Sequence, residues 1–161
     1  MSNTSFELDK LIGDKSEYLI LNFFKNNKFI YEDKRNNADY RKIDVDFIWL
    51  VNGMRYRVEV KTIKNINFIN IETVFDIERR HLLNDWLNCC QATFIFFVCP
   101  EQNKFISLDY QKFKNWFLPN KNKFKEKVNK TTVNGTKKHT SAYVKLNINK
   151  IPKELFQIIE L

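Results

Sequence analysis

The 161-residue chain is short of the residues that build several common kinds of functional site. Its three cysteines include the adjacent pair Cys89 and Cys90, which is neither the CxxC pattern of a zinc site nor part of an even set for a disulfide framework. Its three glycines form no Gly-rich phosphate loop, and the chain has no Ser-His-Asp order. The sequence therefore argues against zinc-binding proteins, disulfide-rich domains, P-loop proteins and serine hydrolases.

Long apolar runs are also absent. No segment has the length of a membrane span, and residues 1–10 lack the apolar core of a signal peptide. We therefore predict a cytoplasmic (intracellular) protein with reduced thiols and no membrane partner. The hydrophobic fraction of 43% and the fifteen phenylalanines suffice for a core, so the length predicts one domain that spans residues 1–161.

The whole chain has a net charge of +8, and acidic residues are scarce in one part of it. Between Lys121 and Lys153, ten lysines stand against the single acid Glu126, with aromatic residues and His139 among them. A basic segment of this kind favours phosphate contact, although a solvated lysine face would have the same composition. We predict that residues 119–153 form a nucleic-acid-contacting extension of the domain. The predicted contacts are Lys121, Lys123, Lys125, Lys127, Lys130, Lys137, Lys138 and His139.

Hydrophobic periodicity predicts helices that alternate with strands. The predicted helices cover residues 14–26, 77–90 and 109–118, and a short one begins at Pro152. The predicted strands cover residues 29–31, 43–51, 54–62, 68–74, 93–99, 104–108 and 143–148, with a turn at 36–39 and a loop at 134–138. The run 93–99 is apolar without a break, as in a central strand buried on both faces. This order predicts an α/β fold with a mixed β-sheet core flanked by helices.

The strongest local signal is Asn52-Gly53 between two β-prone runs, because a type I′ hairpin turn requires positive φ at both central residues. The turn fixes the register of the two strands. One face then carries the apolar pairs Val51–Met54, Trp49–Tyr56, Phe47–Val58 and Val45–Val60. The other face carries the pairs Leu50–Arg55, Ile48–Arg57, Asp46–Glu59 and Asp44–Lys61. We predict that the first face covers the core and that the second collects three carboxylates and one lysine at its end.

Like charges directly opposite each other on paired strands destabilise a hairpin. Asp46 and Glu59 therefore need a positive partner, which Lys61 or a divalent cation would supply. Ile48 and Leu50 on the same face predict that it is partly covered, and a half-buried carboxylate pair favours hard Mg²⁺. The alternative is an ordinary hairpin with a wet, charged outer face.

Asp46, followed across the turn by Glu59-Val60-Lys61, resembles the PD-(D/E)XK nuclease superfamily, whose fold is called restriction-endonuclease-like. The spacing is most similar to that of small Holliday-junction-resolvase-like members. The segment Gly13-Asp14-Lys15-Ser16-Glu17 matches the GxxxE helix that precedes the hairpin in that family. The resemblance covers residues 13–62 and continues weakly as far as the strand from Thr93. Val45 stands where the family has proline.

The resemblance implies that Asp46 and Glu59 bind Mg²⁺, for which Mn²⁺ would substitute, together with the carbonyl of Val60. It implies that Lys61 orients or activates the attacking water. A lysine pressed between a metal ion and an apolar strand would lose its proton more easily than in water. Glu17 would hold Lys61 or a water, or bind a second metal ion.

Two further acids are candidates for the edge of this site. The sequence leaves open whether Asp44 or Asp46 is the main ligand; the resolvase-like spacing favours Asp46, with Asp44 beside it. Glu72, on a third strand, would extend the acidic site.

These observations predict a Mg²⁺-dependent endonuclease that hydrolyses DNA phosphodiester bonds. It would be a recombination or repair enzyme of a phage or mobile element, or an enzyme of restriction type. RNA stays open as a substrate, and the resemblance to junction-cutting enzymes implies a homodimer. Two alternatives stand beside this prediction. They are a non-catalytic nucleic-acid-binding protein and a protein-interaction module on the same fold.

Overall fold

The computed structural model describes residues 4–74, 86–133 and 136–161, and the side chains of residues 11–73, 86–128 and 140–161. The helices are α1 (Thr4–Asn26), α2 (Ala38–Arg41), α3 (Trp86–Cys89) and α4 (Tyr110–Asn120). The strands are β1 (Ile30–Asp33), β2 (Phe47–Val51), β3 (Met54–Thr62), β4 (Phe68–Val74), β5 (Phe94–Cys99), β6 (Lys104–Asp109), β7 (Glu126–Val133), β8 (Thr136–Asn147) and β9 (Phe156–Glu160). Single 3₁₀ turns lie at Pro100–Gln102, Lys121–Lys123, Ile148–Lys150 and Lys153–Leu155.

The described strands form two sheets. The six-stranded sheet has the order β1-β2-β3-β5-β6-β9, and the three-stranded sheet has the order β4-β8-β7. β3 pairs with β5 in parallel, and the other pairs among the described strands are antiparallel. The chain is therefore a mixed α/β protein, as the order of elements predicted; that its strands divide into two mostly antiparallel sheets was not predicted. Within the described ranges, no helix combines the length and the apolar character of a membrane span.

The turn between β2 and β3 has the predicted geometry. Asn52 has a φ of 50° and Gly53 a φ of 79°, the two positive values that a type I′ turn requires. The ladder runs from Val51–Met54 to Phe47–Val58, so the predicted register is confirmed over the whole of β2. The predicted start of this strand at residue 43 is wrong, because β2 begins at Phe47 and Asp44 has a φ of 52°.

Gly53 and Gly13 give opposite predictions for the same substitution. We expect Gly53→Ala to lower the free energy of unfolding by about 1 kcal/mol, because a residue with a Cβ is strained at positive φ. We expect Gly13→Ala, inside α1, to raise it by roughly 0.5–1 kcal/mol, since glycine weakens a helix interior. Among the described residues, no atom lies within 4 Å of a Cβ built there. Urea unfolding of both variants measures the two shifts, and shifts of the same sign would contradict the prediction.

One face of the six-stranded sheet is covered by α1. Ile20 and Phe24 of the helix are fully buried against Phe47, Val58 and Phe96 of the sheet. The hairpin face that the sequence predicted to be apolar is thus confirmed as the core face.

The opposite face of the same sheet packs against the three-stranded sheet and α4. Along β5, Ile95, Phe97 and Cys99 belong to this second core, while Phe96 and Val98 belong to the first. Both sets are buried, which confirms the predicted central strand with two covered faces.

The last part of the chain differs most from the prediction. β7 and β8 form an antiparallel pair, so residues 136–138 lie in a strand instead of the predicted loop, and residues 134 and 135 lie outside the described ranges. After Pro152 the chain makes one 3₁₀ turn and then β9, where a short helix was expected. β9 is held by its pairing with β6, a contact between distant segments that local periodicity does not encode.

Other predicted bounds differ from the structure, and one predicted helix lies mostly outside the described residues. α1 begins at Thr4, before the predicted helix 14–26. The predicted turn at 36–39 contains the N-cap of α2, where the Asn37 side chain accepts hydrogen bonds from the backbone amides of Asp39 and Tyr40. Of the predicted helix 77–90, residues 77–85 lie outside the described ranges, and α3 follows them.

Candidate active site

Glu59 and Lys61 lie on the face of β3 that points away from α1. Their partners on β5 are Ile95 and Phe97, so the Glu59 side chain lies among apolar residues and is 7% exposed. Lys61 Nζ is 2.6 Å from Glu59 Oε1, and the lysine side chain is 39% exposed. The ammonium also lies 5.7 Å from the centroid of the Trp86 ring. A buried carboxylate and a partly exposed ammonium thus form one ion pair.

Asp46 immediately precedes β2 and ends the ladder with its own side chain. Its amide donates to the Val58 carbonyl at 2.8 Å, so the backbone is still close to β3 at this point. Its carboxylate Oδ2 accepts the Val60 amide at 2.7 Å. A side-chain acceptor therefore replaces the main-chain acceptor that a longer β2 would have offered. The ladder therefore ends at Phe47–Val58, and the predicted pairs Asp46–Glu59, Val45–Val60 and Asp44–Lys61 are wrong.

The carboxyl groups of Asp46 and Glu59 nevertheless lie within hydrogen-bonding reach of each other. Such a contact requires a proton on one of the two groups. Burial, followed by the negative charge of Glu59, raises the pKa of Asp46 to about 8. Burial also raises the pKa of Glu59, against the attraction of Lys61. The pair thus resists carrying two negative charges unless a stronger positive partner is present.

Lys61 holds its proton more firmly than a lysine in water. Burial favours the neutral amine, but the Glu59 carboxylate outweighs this effect and raises the pKa of Lys61 above its ordinary value, with smaller contributions from Asp44 and Asp46. In this metal-free arrangement Lys61 stays protonated, and the expectation that it loses its proton more easily beside a bound metal ion stays a prediction. Lys61 can donate hydrogen bonds to an anion, and it is not a base at neutral pH.

Glu17 approaches the same region from α1. The helix is tied to the end of β3 by Thr62 Oγ1, which donates a hydrogen bond of 2.8 Å to Ser16 Oγ. Burial raises the pKa of Glu17, and the charge of Glu59 adds to this effect. Glu17 also contributes to the raised pKa of Asp46, so the three carboxyl groups interact electrostatically.

Arg35 is the site residue that sequence reasoning missed. Its Nη1 lies 3.4 Å from Glu17 Oε2, so Glu17 has an ionic partner other than the expected Lys61 or water. Asp33 holds the guanidinium through contacts of 2.6 and 2.9 Å. No motif spacing marks Arg35, because tertiary packing of α1 near the end of β1 brings it to Glu17.

Asp44 and Glu72 lie at the edge of the site. Of the two candidate ligands on the hairpin, Asp46 is the one whose carboxyl contacts Glu59, while Asp44 acts on Glu59 through its charge. Glu72, on β4, lines the same cavity as Lys61. The structure thus brings Glu17, Asp46, Glu59 and Lys61 together and leaves Asp44 and Glu72 around them.

A cavity of about 460 Å³ opens beside Lys61, lined by residues of both sheets. Asn70, Glu72 and Tyr143 line it from the three-stranded sheet, and Trp86 lines it from α3. The cavity gives the Lys61 ammonium access to a bound anion, while the Glu59 carboxylate stays buried.

Part of the lysine-rich segment lines a groove. Lys123, Lys125 and Lys127 line a groove of about 810 Å³, together with Lys145 and Lys150. Lys121 lies 3.6 Å from Glu126. The predicted contacts Lys130, Lys137, Lys138 and His139 lie on β7 and β8, and their side chains are outside the described residues.

The site has to be interpreted from its own chemistry, because no protein-family model, curated protein or solved structure matches the chain. Among the residues that the structure describes, no group of three or more His, Cys, Asp or Glu side chains is placed to hold a metal ion. What the site offers is a pair of carboxyl groups, Asp46 and Glu59, next to one ammonium.

Proposed function

We propose that the protein is a Mg²⁺-dependent nuclease that hydrolyses phosphodiester bonds in DNA. The observation that carries the proposal is the Asp46–Glu59 pair, two carboxyl groups in mutual contact beside the Lys61 ammonium, which lines a cavity. Two adjacent carboxyl groups with raised pKa values are unfavourable when they serve only a structural purpose. Such an arrangement is typical of a place that accepts a cation.

The donor set suits Mg²⁺. This ion is commonly held by one or two carboxylates and completes its coordination with waters and substrate phosphate oxygens. Asp46 and Glu59 would hold it, with the carbonyl of Val60 as a further oxygen ligand, and Mn²⁺ would substitute. When bound, the ion supplies Lewis-acid chemistry, because it lowers the pKa of an attacking water and offsets charge on phosphoryl oxygens.

The side chains around the pair would bind and orient the phosphate. Because Lys61 stays protonated, its ammonium can donate hydrogen bonds to a phosphoryl oxygen and stabilise the negative charge that grows there during hydrolysis. Glu59 keeps the ammonium in place at 2.6 Å. Glu17 is paired with Arg35 and interacts electrostatically with Asp46 and Glu59, and its raised pKa suits its carboxyl to orient a water and take up its proton.

Membership of the PD-(D/E)XK superfamily, with a restriction-endonuclease-like fold, is part of the same proposal. It is supported by the hairpin that carries Asp46 and Glu59-Val60-Lys61, by the parallel β3–β5 pair, and by Glu17 on the helix that packs on β3. Two features depart from the resemblance, since Val45 replaces proline and Glu17 is bound to Arg35. A homodimer, a cytoplasmic location and a role in phage or mobile-element DNA metabolism stay predictions.

The proposal is tested by incubating the protein with supercoiled, linear and branched DNA in Mg²⁺, in Mn²⁺ and in EDTA. We expect nicking or cutting with either ion and none in EDTA. A parallel series with RNA decides between the two polymers. Equal cleavage in EDTA, or no cleavage with any metal while DNA binding is intact, would contradict the proposal.

A second candidate is a non-catalytic nucleic-acid-binding protein. The observation in its favour is that the polar groups of the site satisfy one another, because Asp46 accepts the Val60 amide and Glu59 pairs with Lys61. A closed set of this kind can be structural. Binding without cleavage under any metal would favour this candidate, and the lack of both would favour a protein-interaction module.

The raised pKa values predict how stability depends on pH. Asp46 and Glu59 have higher pKa values in the folded metal-free protein than in the unfolded chain. Their contribution to stability is therefore complete below the unfolded values of about 4, and it is lost as the pH rises through the folded values. We expect the free energy of unfolding in EDTA to fall as the pH rises from 5 toward about 8, the folded pKa of Asp46.

Mg²⁺ is expected to reduce this fall, because the ion binds the ionised carboxylates and not the protonated ones. Urea unfolding across this pH range, in EDTA and in Mg²⁺, measures both curves. Asp46→Asn serves as the control, since it removes one of the titrating groups and should flatten the curve in EDTA. A free energy of unfolding that rises with pH in EDTA would show that ionisation of the two carboxyl groups does not destabilise the folded protein.

A further inference from the structure

The outer face of the three-stranded sheet carries aromatic and polar side chains. On β4, Ile69 and Ile71 are fully buried in the core, so the alternate residues Phe68 and Asn70 point away from it. Phe68 is half-buried and Asn70 is exposed. β4 therefore presents an aromatic ring and an amide on the side of the sheet that faces away from the second core.

β8 continues this face with a second ring and a lysine. Val144 and Leu146 are buried, which leaves Tyr143 and Lys145 on the outer side. Lys145 stands opposite Asn70 in the β4–β8 register. Directly opposed residues of an antiparallel pair share a face, so the two strands together form one surface.

β7 adds a further lysine to the same surface. Lys127 stands opposite Tyr143 in the β7–β8 register and is exposed. Lys145 Nζ lies 4.7 Å from the centroid of the Phe68 ring. A cation and a ring thus lie within the reach of a single nucleotide, whose phosphate and base need these two kinds of contact. We call the surface made of Phe68, Asn70, Lys127, Tyr143 and Lys145 the outer face.

The outer face is continuous with the candidate active site. Asn70 and Tyr143 line the cavity of about 460 Å³ next to Lys61, and they also line a smaller cavity of about 300 Å³. Phe68, Lys127 and Lys145 line this smaller cavity and also the groove of about 810 Å³. Because they share lining residues, the three cavities are adjacent, and together they extend from the groove of about 810 Å³ to the Lys61 ammonium.

We propose that the outer face binds a single strand of DNA and leads it to the Asp46–Glu59–Lys61 site, so that unpaired DNA is the substrate class of the nuclease. The inference rests on the proposed function and narrows it. Aromatic rings can stack only on bases that are free of a partner strand, and the combination of rings with lysines along a groove is typical of single-strand binding. A duplex would offer the rings no base face, because its bases are already stacked and paired.

Binding without cleavage tests this proposal separately from the proposed function. Fluorescence anisotropy in EDTA compares a labelled single strand of about 12 nucleotides, within the usual site size of such surfaces, with the same sequence as a blunt duplex. A single-stranded RNA of matched length forms the third arm. We expect the single DNA strand to bind at least about tenfold more tightly than the duplex at moderate salt.

Variants that neutralise lysines separate the contribution of the outer face to DNA binding from the contribution of lysines elsewhere. Lys127→Gln with Lys145→Gln should weaken binding of the single strand about tenfold and reduce the slope of log affinity against log salt by about 1.4, since each lost phosphate contact removes roughly 0.7. Lys25→Gln with Lys28→Gln makes the same change in net charge at exposed positions that line none of these three cavities. This control should leave the slope within about 0.3 of the wild type.

Variants of Tyr143 separate stacking from folding. Tyr143→Leu should lower the affinity for the single strand about fivefold or more. Tyr143→Phe keeps the ring and should retain the wild-type affinity. Far-ultraviolet circular dichroism of both variants shows whether they fold alike.

The two proposals fail in different ways. Tighter duplex binding, or a lysine double variant that behaves like its control, would overturn single-strand delivery even if the protein cuts DNA. Tighter binding of RNA than of DNA would also overturn it, in favour of a single-stranded RNA substrate. Single-strand binding with the expected variant effects supports the outer face as a binding surface, and metal-dependent cutting of the same strand then supports the delivery step. The absence of such cutting would overturn delivery, and it would overturn the nuclease proposal as well only if supercoiled, linear and branched DNA also stay uncut with either metal ion.

Discussion

Asp46→Asn is expected to reduce metal-dependent DNA cleavage by about a thousandfold or more while the fold stays intact. The asparagine side-chain oxygen can still accept the Val60 amide, whose bond to Asp46 Oδ2 is 2.7 Å long. The substitution removes the negative charge that would bind Mg²⁺ and leaves a neutral group beside Glu59. Single-turnover cleavage of supercoiled DNA measures the loss.

The same variant is expected to be more stable than the wild type in EDTA near pH 9, by about 1–2 kcal/mol. Burial and the charge of Glu59 raise the pKa of Asp46 to about 8, so at higher pH the wild-type protein must hold an unfavourable charge that asparagine lacks. Urea unfolding at this pH measures the difference. A loss of cleavage together with a gain of stability is characteristic of a ligand and not of a structural residue.

Asp44→Asn is the matched control for this prediction. The two acids are separated by one residue, and the Asp44 charge reaches Glu59 and Lys61, but the Asp46 carboxyl is the one that contacts Glu59. We expect Asp44→Asn to lower cleavage less than about tenfold. If Asp44→Asn were the variant that abolishes cleavage and Asp46→Asn were not, the choice of the main ligand would be wrong.

Lys61→Met is expected to reduce cleavage by about 10²–10³-fold while binding of Mg²⁺ is retained. The ammonium would stabilise the charge that develops on the phosphoryl oxygens, and methionine removes it at similar length. Because the pKa of Lys61 is raised, the wild-type rate should show no inflection from this residue near neutral pH. Lys61→Arg, which keeps the charge, should retain more activity than Lys61→Met.

Lys104→Met is the control for the stability of this variant. Lys104 is 40% exposed and lies 3.0 Å from Glu160, so its exposure and ion pair match those of Lys61. The partners differ, because the Glu160 side chain is 80% exposed and that of Glu59 is 7% exposed. We therefore expect Lys61→Met to destabilise the metal-free protein by roughly 1–3 kcal/mol and Lys104→Met by less than about 0.5 kcal/mol. Equal losses would mean that Glu59 does not depend on Lys61.

Much of the fold was predictable where the signal is local. Asn52-Gly53 predicted the register of β2 and β3, because a type I′ turn needs two residues that tolerate positive φ and thereby sets which residues of the two strands face each other. The unbroken apolar run of β5 predicted a strand with two covered faces. Asp109 predicted the start of α4, where its carboxylate accepts the Lys112 amide at 3.2 Å.

The features that the sequence did not reveal depend on contacts between distant segments. β7, the first half of β8 and β9 contain few apolar alternations of their own, and each is held by a neighbouring strand. In the site, the spacing of Asp46, Glu59 and Lys61 predicted that the three meet, since alternation places Glu59 and Lys61 on one face. Spacing could not predict that Asp46 leaves the ladder, because this depends on one side chain replacing a carbonyl as acceptor.

The hydrogen bond between the Val60 amide and the Asp46 carboxylate makes a main-chain proton of the sheet a reporter on the chemistry next to it. Any ion or proton that draws electron density from this carboxylate weakens it as an acceptor, and any event that turns the side chain frees the amide. The rate at which that single hydrogen exchanges with deuterium, and its chemical shift, therefore follow the state of the neighbouring acids. A spectroscopist can read this signal on the resting protein, before any nucleic acid is added.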